Sequence, residues 1–170
     1  MILVIGYGNT LCSDDGVGPR VAEGVAAWHL PRVKTIITHQ LAPELADEIA
    51  RADMVIFVDA DASCAPDMQG VVIESMGAAT AGSLTMTHVA HSRDLLALVA
   101  TLYHHQPPAV LVSVPAIHFE LGETLSACAE RGLADALRAI RVLIDTAGDA
   151  AQDPGCGPTN RGERSANAYA

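Results

Sequence analysis

Two acids and one histidine, far apart in the chain, offer the chemistry in this sequence. Asp15 lies in a glycine-rich loop, GYGNTLCSDDGVG, that follows a short apolar run at Ile2–Ile5. Asp59 follows a second apolar run, Met54–Val58, with Asp61 two residues further on. His88 precedes an apolar-periodic stretch that begins near Ser92. Two carboxylates and an imidazole form a mixed oxygen and nitrogen donor set. That set suits a borderline divalent ion such as zinc or nickel better than magnesium. Three protein ligands leave positions open for a substrate or a water. Each residue also has a plainer reading. Asp15 reads as a solvated loop acid, Asp14 as a cap of the following helix, Asp59 as a strand terminator and His88 as a structural or surface histidine.

Positioning such residues requires strands that end at a common edge. Ile2–Ile5, Val33–Thr38, Met54–Val58 and Ala109–Val114 are short and β-branched, as buried parallel strands are. Val71–Glu74 reads as a short extra strand at a sheet edge. Helical spacing of apolar residues predicts helices over about Gly18–Trp28, Pro43–Ile49, Ser92–Tyr103 (with Ser92 as N-cap) and Glu123–Thr146. Strands alternating with helices predict an α/β fold. The expectation is a single three-layer domain, with a mostly parallel twisted sheet and helices on both faces. Sites in such sheets lie beyond the carboxyl ends of the strands, where Asp15, Asp59 and the loop of His88 can meet. Asp59 and His88 are expected to be at least partly exposed. The domain is expected to span residues 1–147. The Gly-, Pro- and polar-rich segment 148–170 is expected to be a disordered tail.

Charge and composition exclude several functions. The chain of 170 residues carries a formal net charge of −10, and Lys34 is its only lysine. Such a surface repels phosphate backbones, which argues against nucleic acid and anionic membranes as partners. The opening MILVIGYGN has neither a basic start nor a long apolar core, so it does not read as a signal peptide. No run approaches the ~18 apolar residues of a membrane span. The four cysteines form no C-x-x-C pair, which fits a reduced, cytoplasmic protein. Cys12, close to the acids, reads as a small packed residue rather than a nucleophile.

Three other chemistries could draw on the same residues. Gly6 and Gly8 match the first two glycines of a dinucleotide loop. However, Leu11 takes the place of the third, Asp14 and Asp15 would repel a pyrophosphate, and the second strand ends in Thr-His-Gln. Magnesium-dependent phosphoryl chemistry, of a receiver-like kind, could use Asp59 and Asp61 in VDADAS. It also needs a positioned lysine, and Lys34 begins the second strand at the opposite edge of the sheet. A non-catalytic metal-binding maturation factor would use the same three ligands, and residue types alone do not separate it from an enzyme.

The blocks together resemble one family. The run from Gly6 to Gly18 resembles the opening motif of the hydrogenase maturation proteases. IFVDA at Ile56–Ala60 resembles their second block, and THVAHSRDLLAL at Thr87–Leu98 resembles their third, with Asp94 six residues after His88. THQLAPELADEIA at Thr38–Ala50 is most similar to members serving bidirectional, NAD-reducing hydrogenases. The resemblance covers residues 1–146 and rests on the three blocks in order. It implies an endopeptidase that removes the C-terminal extension of a nickel-loaded [NiFe] hydrogenase large-subunit precursor. Its metal-contacting and catalytic residues would fall on Asp15, Asp59 and His88, although many members have Glu at the position of Asp15. The nickel would belong to the substrate, so no permanently bound cofactor is implied. His39 and Gln40 follow the second strand and are expected to border the same cleft as substrate-binding residues. The plainer reading of Gln40 is a side chain that closes a turn on local backbone.

Overall fold

A computed structural model describes residues 1–63, 70–77 and 88–150, without side-chain detail at 88–91 and 149–150. Apolar β-branched runs form five strands: β1 (Ile2–Tyr7), β2 (Val33–Thr38), β3 (Met54–Asp61), β4 (Val72–Met76) and β5 (Ala109–Pro115). They make one sheet in the order β2-β1-β3-β5-β4. The first four strands in that order run parallel, and β4 pairs antiparallel with β5 at the edge. Among the described residues four α-helices connect and cover them: α1 (Val17–Ala26), α2 (Ala46–Ala50), α3 (His88–Tyr103) and α4 (Ala127–Ala150). The expected α/β architecture is therefore present.

Alternation along the strands divides the core into two layers. Val4, Ile56, Val58, Val112 and Val114 face Val17, Val21 and Val25 of α1 and Ala129, Ala136 and Ile140 of α4. Leu3, Ile5, Tyr7, Phe57 and Leu111 face Ile49 of α2 and Leu95, Leu96 and Val99 of α3. Burying both faces explains why β1, β3 and β5 read as continuous apolar runs.

Several boundaries differ from the sequence expectation. β3 continues through Asp59 to Asp61, because Asp59–Asp61 extend the ladder with Ser113–Pro115 of β5. A 3-10 turn, Pro43–Leu45, replaces the first turn expected of α2. α3 is already formed at His88, so Ser92 lies inside the helix and is fully buried instead of capping it. α4 begins at Ala127 because Ser126 supplies the cap: its hydroxyl accepts the Ala129 amide at 3.2 Å. The same helix runs through Gly148 to Ala150, past the boundary expected at 147. Of the tail expected over 148–170, residues 151–170 lie outside the described residues. No described helix is long and apolar enough to cross a membrane.

Candidate functional site

The loop after β1 is shaped by its glycines and by Asn9. Gly8 has φ +137°, and a side chain there would meet the Asp15 carbonyl at 2.0 Å. The Asn9 amide donates to Asp15 Oδ2 at 2.6 Å, its Oδ1 accepts from the Leu11 amide at 3.0 Å, and its Nδ2 donates to Cys12 Sγ at 3.1 Å. Cys12 is half-buried and engaged in this turn, in keeping with a packed thiol. Asp15 is half-buried too, with its carboxyl carbon packed over Gly8. Gly18 lets α1 start directly against the sheet: a side chain there would lie 2.5 Å from the Tyr7 carbonyl and 2.6 Å from that of Val58.

Asp14 and Asp15 have separate roles. Asp14 is fully buried and does not cap the following turn. Its carboxylate accepts the amides of Ile117 (2.9 Å), His118 (3.0 Å) and Ser126 (2.6 Å) and the Ser126 hydroxyl (2.8 Å). Burial raises the carboxyl's pKa, but these donors outweigh it and hold the group below its ordinary value. The same two loops are joined again where Gly122 pairs with Leu11 and Ser13 and the Ser13 hydroxyl reaches the Glu120 carbonyl. Asp14 thus welds the loop after β1 to the loop before α4.

Asp59 sits on β3 near its carboxyl end and is 3% exposed, so the expected partial exposure does not hold. It is buried because it still belongs to the ladder and points, like Phe57, toward α3. Its Oδ1 accepts the Ala60 amide at 2.9 Å. The register pairs Gly6 with Val58, which sets Tyr7 alongside Asp59. Tyr7 is buried as well, and its phenol has Asp59 and Ser92 of α3 as polar neighbours without reaching full hydrogen-bond geometry to either. Burial first, then the Asp59 charge, drive the phenol's pKa far above the usual 10.0, so it stays protonated beside the carboxylate. Asp61, by contrast, accepts the amide and hydroxyl of Ser63 at 2.8 and 2.6 Å in a local turn.

These positions converge on one place. Asp15 lies over Gly8, one residue beyond Tyr7, and Tyr7 lies beside Asp59. The chain passes from β1 outward to β2 and then returns across β1 to β3, so the crevice between β1 and β3 is the topological switch point of the sheet. His88 is the first described residue of α3, about one turn before Ser92, the residue that faces Tyr7. Its ring lies outside the described atoms. Among the described residues no group of three or more His, Cys, Asp or Glu is assembled as an ion cage. Sequence reasoning missed Tyr7, Asn9 and Ser92. The aromatic between two glycines in Gly-Tyr-Gly-Asn was the available signal for the first two.

The loop after β2 lines a cavity at the same sheet edge. Gln40, Leu41, Ala42 and Pro43 form one wall and Asp94, Leu95 and Leu98 of α3 the other, enclosing about 370 Å³. The Thr38 hydroxyl closes the turn by donating to the Gln40 carbonyl at 3.0 Å, while Gln40 itself lines the cavity. His39 is exposed beside it. Lys34, the residue that phosphoryl chemistry would need, is paired with Glu48 at 2.7 Å near the opposite end of β2.

Comparison with solved structures places this architecture. The hydrogenase maturating endopeptidase HybD from E. coli superimposes with a TM-score of 0.71 at 24% identity, covering 86% of this chain and 93% of that one. The [NiFe] hydrogenase maturation protease HybD from Thermococcus kodakarensis gives 0.69 at 21% identity, over 84% and 97% of the two chains. HycI, a [NiFe] hydrogenase maturation protease from the same organism, gives 0.64 at 23% identity, over 85% and 90%. The chain has the maturation-protease fold. No family model matches the chain, and the comparison with curated proteins finds no match.

Proposed function

We propose that this chain is an endopeptidase that removes the C-terminal extension of a nickel-loaded [NiFe] hydrogenase large-subunit precursor. The observation that carries the reading is the coincidence of the maturation-protease fold with two carboxylates, Asp15 and Asp59, at its topological switch point. Asp15 and Asp59 supply oxygen ligands and His88, at the start of α3, supplies nitrogen. The substrate's nickel completes its shell with them. Ligand exchange of this kind gives the loaded precursor extra affinity that the empty one lacks. A difference of ~3 kcal/mol discriminates by about a hundredfold.

The surroundings suit a protein substrate. Leu11, Ile117, Phe119 and Leu121 are exposed on the two loops that Asp14 welds together, beside Asp15. A cluster of exposed apolar side chains at one rim is a feature of surfaces that meet another protein. Asp59 is nearly inaccessible from outside, so a ligand reaches it through the β1–β3 crevice and not across open surface.

In this reading the loop after β2 selects among precursors. Gln40 and His39 border the cleft, and the likeness of Thr38–Ala50 to members serving bidirectional, NAD-reducing hydrogenases points to a precursor of that type. The test is to mix the purified protein with candidate precursors, nickel-loaded and nickel-free, and to follow mass. Loss of a C-terminal segment from the loaded form alone supports the reading. Intact loaded precursors of every type would exclude it.

A further inference from the structure

The cavity between the loop after β2 and α3 is lined mainly by apolar side chains. Leu41, Ala42, Pro43, Leu95 and Leu98 supply the apolar lining, Gln40 adds an amide and Asp94 a single carboxylate. Asp94 is exposed and has no hydrogen bond or ion pair among the described residues. Its neighbour Arg93 is engaged elsewhere, with Glu74 of β4, and Lys34 with Glu48. The Asp94 charge is therefore not neutralised by the chain's own described cations. At about 370 Å³ the cavity has room for one long side chain. An apolar lining beside an unpaired carboxylate matches an aliphatic stem that ends in a cation, as arginine and lysine do.

We propose that this cavity binds an arginine or lysine side chain of the processed precursor, with Leu95 and Leu98 against its stem and Asp94 against its charged end. The inference rests on the processing reading above and adds a substrate feature that the nickel site does not supply. Placement supports it. Leu95, which lines the cavity, is also buried in the core layer that holds Tyr7, so the cavity adjoins the side of the sheet on which Tyr7 and Asp59 lie. The Gly8 amide donates to the Thr38 carbonyl at 3.2 Å, which holds the loop after β2 beside the Asp15 loop. The chain's net charge of −10 attracts a basic segment over distance, and the cavity then fixes one of its residues.

The test pairs Asp94→Asn with Lys→Met and Arg→Met changes, made one at a time, near the C-terminal extension of a loaded precursor. Wild-type protein should process the parent precursor, and Asp94→Asn should lower kcat/KM by about tenfold, chiefly through KM. One precursor substitution should produce the same loss with wild-type protein and no further loss with Asp94→Asn, the non-additivity expected of groups in contact. Asp94→Asn should melt at the wild-type temperature, since the side chain is exposed. Unchanged kcat/KM in Asp94→Asn, or additive losses at every basic position, would overturn the cavity assignment while leaving the processing reading in place. Wild-type protein that cuts no loaded precursor would overturn both.

Discussion

Asp14 and Asp15 are adjacent, yet they meet different surroundings. Asp14 is enclosed by four donors from the far end of the chain, while Asp15 accepts one local amide and keeps partial access to the crevice. Asp14→Ala should strand those donors and cost about 3 kcal/mol, seen as a lowered melting temperature. The pH dependence follows from the sign of the shift. A carboxyl held below its ordinary 3.8 contributes stability that is present above 3.8 and lost as pH falls from there through the lower value of the folded state. The gap between wild type and Asp14→Ala should therefore be full near neutrality and shrink in acid. Tyr7 has the opposite sign: its raised pKa gives stability that is present below 10.0 and lost as alkali ionises the unfolded chain. Tyr7→Phe should flatten the alkaline fall of stability above about pH 10, measured by denaturant melts. Asp59→Asn keeps an acceptor for the Ala60 amide, so the fold should persist while processing drops by at least about a hundredfold.

At the level of elements, the position of the acids depends on how closely α1 approaches the sheet. Gly18 is the contact point, wedged against the Tyr7 and Val58 carbonyls at the mouth of the crevice. Gly18→Ala forces a methyl against two strand backbones and should cost about 3 kcal/mol or more, in unfolding free energy. Gly148→Ala is the control. It meets nothing within 4 Å in α4 and should be neutral or gain up to about 1 kcal/mol. The strands were readable because burial on both faces leaves continuous apolar runs such as Val55–Val58. Their ends were less readable. Asp59 remains in the ladder because Ser113 pairs with it, a partner more than fifty residues away that no local pattern reveals. Serine favours a cap, which is how Ser92 reads in the sequence, but it lies buried beside Tyr7 inside α3. Asp15 and Asp59 were legible as strand-end acids. The weld through Asp14 was not, since its partners Ile117, His118 and Ser126 are brought to it only by the sheet order.

For the molecule as a whole, one sheet edge carries the features of interest. The switch-point acids, the exposed apolar rim and the cavity lined in part by Asp94 all border the loops that follow β1, β2 and β5. The opposite end of β2 holds the Lys34–Glu48 pair, so the sole lysine is remote from that edge. Such a layout suits a substrate that arrives as a folded protein and threads one segment past the acids. The most direct measurement is the mass of a candidate large-subunit precursor after incubation with the purified protein, with and without nickel installed. The loaded precursor should lose its C-terminal extension, the nickel-free one should remain whole, and Asp59→Asn should leave both whole. A loaded precursor that stays intact with wild-type protein, or equal cleavage of loaded and empty forms, would contradict nickel-gated processing at Asp15, Asp59 and His88.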